Sequence, residues 1–400
     1  MQRSLKERCQ LNRACYTVFT SMSTQRKIVI GIDASRANVA KRTGVEWYAF
    51  YLIQELKQLI PDSYQVVLYS REPLTYGLEK FPAHWESRVL AWPPKFLWTQ
   101  MRLSFEMLIH PPDILFSPVH VLPLLLPKHA IVTVHDVAFM ARREAYGFFG
   151  MLYLMLMTWY ATWRAHILTV SEFSKSEIVK FFGADPMRMT TTPLGFDTST
   201  FGHVSKETIV TVTRRHEIID PYFLFVGRLE KKKNLAGLLR AFRIFKEQHD
   251  ANDSYRLVLI GKRGRGYDEA MQEIAGSEVG ASVRELGYVA QEDIPALYAG
   301  ATAFVFPSFY EGFGLPVLEA FASGTPVITS HATSLPEVAG NGALYVDPAA
   351  PQAIAGAMRR LIADHGLREW LISCGRARAN AFTWRATAEK TWEALVKAAE

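Results

Sequence analysis

Glu311 and Glu319 stand eight residues apart, with Gly312, Phe313, Gly314 and Leu315 between them. The apolar run Ala303–Phe306 reads as a buried strand, and Leu315–Ala322 reads as a short helix. Pro316 sits where a first-turn proline is tolerated, and Gly324 sits where a helix ends. One carboxylate thus lies in the strand-to-helix loop and the other in the helix's first turn. Together they can hold two parts of one polar ligand. Unpaired amides at the helix start favour an anion, and glycines let a ligand approach the backbone.

A second cluster is cationic. Arg228 and Lys233 follow the apolar run Tyr222–Val226 and precede a helical stripe at Leu235, Leu238, Leu239, Phe242 and Phe245. A guanidinium fork matches phosphate geometry, and an ammonium adds a mobile point charge. Lys231 and Lys232 read as a solvated loop, and Asn234 as the helix cap. His135-Asp136 closes the strand Ala130–Val134, where an imidazole can donate to a hydroxyl or a phosphate. Asp136 is expected to support that loop. Thr43 and Glu46 form a capping box ahead of a helix. Capping does not require the intervening Gly44, which is unhelpful in a first helical turn.

These residues need two sets of strands to position them. Runs at 27–33, 65–69, 88–92, 113–117, 130–134, 166–170 and 188–192 make one set. Runs at 222–226, 256–260, 286–289, 303–306, 326–329 and 343–346 make the other. Helical stretches alternate with both, the rhythm of parallel α/β sheets. The polar stretch Thr198–Asp220 reads as a linker, Asp293 as opening a helix, and Ser171 and Ser174 as caps of another. The boundaries expected are a leader at 1–25, a first domain at 26–205, and a second at 221–383. The amphipathic run Trp384–Ala399 is placed to cross back onto the first domain.

The string Glu311-Gly312-Phe313-Gly314-Leu315-Pro316-Val317-Leu318-Glu319 resembles the Glu-x7-Glu signature of a large family of retaining glycosyltransferases, the sucrose-synthase and mannosyltransferase-like family 4. Gly227-Arg228…Lys233-Asn234 resembles the same family's G-R-x-x-x-x-K-N element. His135-Asp136 resembles its histidine-bearing strand end, and Ser171-Glu172-Phe173-Ser174 a serine pair at the inter-domain cleft. The Pro193–Asp197 turn departs from the family's asparagine version and is assigned no ligand.

The resemblance implies a GT-B fold, two Rossmann-like domains with parallel sheets facing a cleft. It implies that Arg228 and Lys233 bind a donor diphosphate, and that Glu311, Gly312, Phe313, Gly314 and Leu315 hold the donor. Glu319 would take the ribose hydroxyls. His135 would meet the sugar, Gly44 would face the diphosphate and acceptor, and the backbone at Val289 would face the base. Glu311, His135, Lys233 and Arg228 are then the catalytic candidates. The implied donor is a GDP- or UDP-sugar, with mannose favoured, and the acceptor a glycan or lipid-linked glycan of polysaccharide or glycolipid assembly. Two other readings stay open: a GT-B nucleotide-sugar 2-epimerase, and a non-catalytic nucleotide-binding protein.

The bulk numbers agree with this. Four hundred residues suit two cores. A net charge of +6 and a pI near 9.1 fit anionic small ligands or an anionic membrane. No dense basic run is interleaved with aromatics, so nucleic acid is not the expected partner. Cys9, Cys15 and Cys374 are too scattered for zinc or a disulfide framework, which favours a reducing, cytoplasmic setting. No Asp-x-Asp pair offers to hold a divalent cation, so no metal or cofactor is expected. Residues 1–25 lack the apolar core of a secretory signal, and Met22 is an alternative start.

The stretch Ala145–Trp163 contains no lysine, arginine, aspartate or glutamate. As a membrane span it would put the halves of one sheet on opposite sides of a bilayer, which is untenable. Burial on the first domain and peripheral contact with the inner membrane face both stay open.

Overall fold

The computed structural model describes residues 26–93, 96–143, 146–248 and 254–399. The expected leader at 1–25 lies outside the described residues. Seven strands form the first sheet: β1 (Ile28–Asp33), β2 (Tyr64–Ser70), β3 (Trp85–Val89), β4 (Ile114–Ser117), β5 (His129–Val134), β6 (His166–Thr169) and β7 (Met189–Thr191). Their spatial order is β3-β2-β1-β4-β5-β6-β7. Six strands form the second: β8 (Tyr222–Val226), β9 (Arg256–Ile260), β10 (Val283–Gly287), β11 (Ala303–Phe306), β12 (Val327–Ser330) and β13 (Ala343–Val346). Their order is β10-β9-β8-β11-β12-β13.

Every described strand pair is parallel. Helices cover both faces of such sheets, so the strands read as apolar runs rather than alternating ones. Phe223, Phe225, Phe304 and Phe306 are wholly buried in the second sheet. Each sheet reverses its strand order once, between β1 and β4 and between β8 and β11. The loops leaving those strands open a crevice there, where α/β sheets bind ligands.

The chain crosses back at its far end. The Trp384–Ala399 helix packs on the Gly44–Leu59 helix of the first lobe, and Trp392 stands edge-on to Tyr64 at 4.9 Å. Gly195 makes room for this return: a Cβ there would stand 2.1 Å from the Trp384 backbone nitrogen. Thr387 Oγ1 donates to the Pro193 carbonyl at 2.6 Å and ties the crossing down.

Several local expectations are corrected. β3 lies at 85–89 rather than 88–92, because Trp85 supplies the buried residue that pairs with Val66. β10 ends at Gly287, so Tyr288 and Val289 belong to a loop. The 198–220 stretch contains a helix, Lys206–Arg215, capped by Ser205. Asp293 does open its helix, Ile294–Ala299, as expected, with its carboxylate turned to Arg215 at 2.8 Å and His216 at 2.9 Å. Asn234 stands just before the Leu235–Gln248 helix, as expected, in a left-handed conformation, and its amide also donates to the Pro307 and Pro348 carbonyls at 3.0 and 2.6 Å.

Candidate active site

The Glu311–Gly314 loop runs from β11 to the Leu315–Ala322 helix. Glu311 is buried, and Lys233, from the loop after β8, reaches both its carboxylate oxygens at 2.5 and 2.6 Å. The Lys233 ammonium also lies 5.0 Å over the Phe306 ring. The two loops at the second sheet's reversal thus bring opposite charges together in a poorly solvated place. Thr333 Oγ1 accepts from the Glu311 amide, and Ser334 Oγ donates to the Glu311 and Phe313 carbonyls. Ser334, directly before the Leu335–Ala339 helix, thus braces this loop.

The first lobe braces it from the other side. Ser171 Oγ and Ser174 Oγ both donate to the Gly312 carbonyl, at 2.6 and 3.1 Å. Ser171 also accepts from the Ser174 amide, so it caps its helix as well. Gly312 is pressed against the His135-Asp136 corner: a Cβ there would stand 2.7 Å from both the Asp136 Cβ and the His135 carbonyl oxygen. Glu337 completes the contact. Its carboxylate accepts from the Glu172 and Phe173 amides at 2.9 and 3.2 Å, at the amino end of the Glu172–Phe182 helix. That pairing spans 165 residues, so no local pattern could disclose it.

Two cavities flank this contact, where the sequence predicts a single cleft. The smaller, of about 330 Å³, is lined by both lobes. Gly44, Trp47, Tyr51, Asp197 and Trp384 face Gly227, Lys262, Val289, Leu315 and Glu319. Tyr51 is stacked between Trp47 and Trp384, each with centroids 5.3 Å away, and donates to Asp197 at 2.9 Å. The Gly195–Asp197 turn, assigned no ligand from sequence, therefore belongs to this wall. A Cβ on Gly44 would meet nothing within 4 Å, so its backbone is open to approach. Glu319 receives the Tyr298 hydroxyl at 3.1 Å. Burial pushes its carboxyl up to about 7, with the Tyr298 hydrogen bond pulling the other way.

The larger cavity, of about 680 Å³, belongs to the first lobe. It opens where the loops after β1, β4 and β5 meet, and Asp33, His120, His135 and Asp136 line it. Burial pushes the His135 imidazole down to about 4, with His120 adding to the effect against Asp136 and the Pro118 carbonyl. His120 is likewise pushed down to about 4 by burial, against the pull of Asp136. Both rings are therefore neutral at pH 7. His135 Nε2 lies 3.3 Å from the Pro118 carbonyl and His120 Nε2 lies 2.8 Å from Thr158 Oγ1. A carbonyl only accepts, so His135 carries its proton on Nε2. Burial also raises the Asp33 carboxyl, against its hydrogen bonds from Ser35 and the charge of Arg36.

Lys232 links the lobes electrostatically. Burial alone would lower its ammonium, but Asp136 and then Glu311 more than offset this and raise it. Asp136 shows the converse: burial alone would raise it, and Lys232, first among the opposing causes, leaves it low. From sequence Lys232 is a solvated loop residue, whereas in the fold it is half-buried. Arg228 differs again. Its side chain is 65% exposed, lies 3.4 Å from Glu230, and lines neither cavity. Phe313 is buried, its ring edge-on to Phe382 at 5.7 Å, so the ring packs the loop and leaves ligand contact to the backbone. His120 and Asp33 carry no motif and were missed, although both stand at or just past strand ends, as His135 does. Among the described residues no group of three or more metal-ligating side chains is found.

Two facing Rossmann-like lobes, joined by a helix that returns to the first, define the GT-B architecture. Over 93% of the chain the fold matches sucrose-phosphate synthase from Thermosynechococcus elongatus, with a TM-score of 0.69 and 19% identity, across 99% of that structure. Residues 42–200 match the family described as Glycosyltransferase Family 4, and residues 214–378 match Glycosyl transferases group 1. The chain belongs to this glycosyltransferase family. It is 39% identical over 218 residues to O-antigen chain mannosyltransferase B of Escherichia coli, covering 54% of this chain and 57% of that one. It is 30% identical over 233 residues to O-antigen chain mannosyltransferase RfbU of Salmonella typhimurium, covering 57% and 59%. The matched regions span under two thirds of the length of these relatives.

Proposed function

We propose that this protein is a retaining hexosyltransferase that moves mannose from GDP-mannose to a glycan or lipid-linked acceptor during polysaccharide assembly. The observation that carries the reading is the Lys233–Glu311 contact, 2.5 Å across, held against the His135 corner of the opposite lobe by Gly312. Three groups with charge or hydrogen-bonding capacity thereby converge from both lobes on one seam. The mannosyltransferase names of the relatives support the choice of sugar.

In this mechanism the nucleoside enters the smaller cavity, and ionised Glu319 accepts the ribose hydroxyls. The diphosphate competes with Glu311 for Lys233, and Arg228, being exposed, swings in from the loop. The amide of Leu315 at its helix start adds a further donor. Together they stabilise negative charge on the departing diphosphate. Glu311, released, takes sugar hydroxyls, and neutral His135, its Nε2 proton turned to the Pro118 carbonyl, accepts from a sugar hydroxyl on Nδ1 without repelling an oxocarbenium-like centre. The acceptor occupies the larger cavity. Retention follows from same-face transfer, in which the leaving phosphate helps to deprotonate the acceptor hydroxyl. No metal or organic cofactor enters the scheme. Work at the inner membrane face from the cytoplasm suits a nucleotide-sugar donor.

Incubation with a panel of GDP- and UDP-sugars tests the reading. Nucleotide release that requires GDP-mannose and a lipid-extract acceptor, giving an α-linked product by NMR, is the expected result. Donor turnover without acceptor, yielding the 2-epimer, would replace it with the epimerase reading. Trapping a sugar ester on Glu311 would replace same-face transfer with a covalent mechanism.

A further inference from the structure

The first lobe carries an apolar face that none of the site chemistry uses. The Phe148–Arg164 helix buries Thr158, Ala161 and Thr162 against the sheet. Its opposite stripe exposes Phe149, Tyr153, Leu156, Trp159 and Trp163, spaced at helical intervals. A second element lies beside it: a π-helical turn, Trp98–Leu103, running into the Ser104–Ile109 helix. Phe105 and Leu108 there are more than half exposed.

The segment 122–127 stitches the two together. Tyr160 donates its hydroxyl to the Leu124 carbonyl at 2.7 Å, and the Leu124 amide donates to Ser104 Oγ at 2.8 Å. Leu124 and Leu125 are themselves about half exposed. The surface is therefore one continuous apolar face from two distant stretches of chain. A monomer seldom leaves so much apolar surface in contact with water.

Charge indicates what covers it. In 96–109, 119–128 and 146–165 the sole acid is Glu106, which is buried and paired with Arg88, Arg102 and His110. In the same stretches Lys128 and Arg164 are exposed, and Arg188, in a turn capped by exposed Asp185, donates to the Trp163 carbonyl at 3.1 Å. Indole rings beside cations, in stretches without an exposed carboxylate, suit an anionic bilayer interface. Among the described residues no helix is long and apolar enough to cross a membrane, so contact would be in the interfacial plane.

The face also reaches the larger cavity. Phe96, Leu97, Tyr153 and Leu154, from the same two regions, line its wall. We infer that this two-element face docks on an anionic phospholipid bilayer and that the larger cavity opens beside the bilayer to admit the head group of a lipid-anchored acceptor. The acceptor half of this inference rests on the function proposed above; the docking half does not.

Flotation of the full chain with phosphatidylcholine vesicles, with and without phosphatidylglycerol, tests the docking. The protein should float with the anionic vesicles. Trp159→Ser/Trp163→Ser and, independently, Phe105→Ser/Leu108→Ser should each lower the bound fraction by about tenfold. Near-UV circular dichroism selects folded variants. The same pairs should raise the KM for a vesicle-borne acceptor while transfer to a lipid-free acceptor fragment is unchanged. Absence of flotation, or flotation indifferent to both pairs, overturns the docking. So does sedimentation showing a dimer that these substitutions dissociate. Flotation without any glycosyl transfer leaves the docking in place and removes the site reading.

Discussion

The two lobes present polar groups to the seam in different ways. On the second-lobe side Lys233 closes on Glu311 as an ion pair, and Glu319, without a cationic partner, sits poised between its two ionisation states. In the first lobe burial leaves His120 and His135 neutral and raises the Asp33 carboxyl. The difference suits what the proposed reaction would bring to each side. A diphosphate needs full charges that can be exchanged from one partner to another, whereas a hydroxyl acceptor needs directed hydrogen bonds without a competing ion. Asp136 and Lys232 are the boundary, a carboxylate and an ammonium facing each other from opposite lobes.

The largest way to break this contrast is to remove the exchanged charge. Lys233→Ala should lower kcat/KM by about 10²–10³ through loss of leaving-group stabilisation. It should also destabilise the fold by about 3 kcal/mol, since Glu311 is left buried without its partner. The double variant Lys233→Ala/Glu311→Ala should regain most of the melting temperature and none of the activity. A single variant as stable as wild type would show that the pair does not anchor the loop.

Glu319→Gln separates binding from stability. A neutral amide should weaken nucleotide affinity by about tenfold to a hundredfold, read by calorimetry. Stability should move the other way. With a folded pKa near 7 and an unfolded value near the ordinary 4.5, the native state binds the extra proton between them. Stability therefore falls as pH rises through that window, and above about 7 the folded protein carries a buried charge. The variant should melt higher than wild type at about pH 8 and equally at about pH 4.5. A lower melting point on the alkaline side would mean that the carboxylate is well solvated.

Gly312→Ala wedges the lobes apart, because its Cβ meets carbon and backbone oxygen rather than a side-chain tip that can yield. An increase in radius of gyration by small-angle scattering should accompany a loss of activity of about tenfold. Glu337→Ala should act more gently on the same contact, at about 1 kcal/mol, since the freed amides of Glu172 and Phe173 can turn to water. Unchanged scattering in both variants would remove the seam as the determinant of closure.

The smallest expected effect is an absence. With both imidazoles titrating near pH 4, no limb at the ordinary histidine value should appear in the profile of kcat/KM. The acid limb should fall near pH 7 and belong to Glu319, and Glu319→Gln should flatten it. A limb near the ordinary histidine value of 6.5 that survives in that variant would mean His135 is solvated and charged.

Much was legible in the chain itself. The apolar runs, the glycines and the acidic pair at 311 and 319 specify strand, loop and helix through short-range rules of period, capping and backbone freedom. They also place Glu311, Lys233 and His135 at strand ends, where parallel sheets bind ligands. Only the tertiary structure decided the rest. It turned Lys232 from a solvated loop residue into a charge facing Asp136, and gave Glu337 two amides from the other lobe. It drew the Gly195–Asp197 turn, Tyr51 and Trp384 into one wall, and merged two separate helices into a single apolar face. Sequence spacing sets which groups lie near each other along a helix or a loop. Burial, and contacts between residues far apart in the chain, set which of those groups stay charged and what they touch.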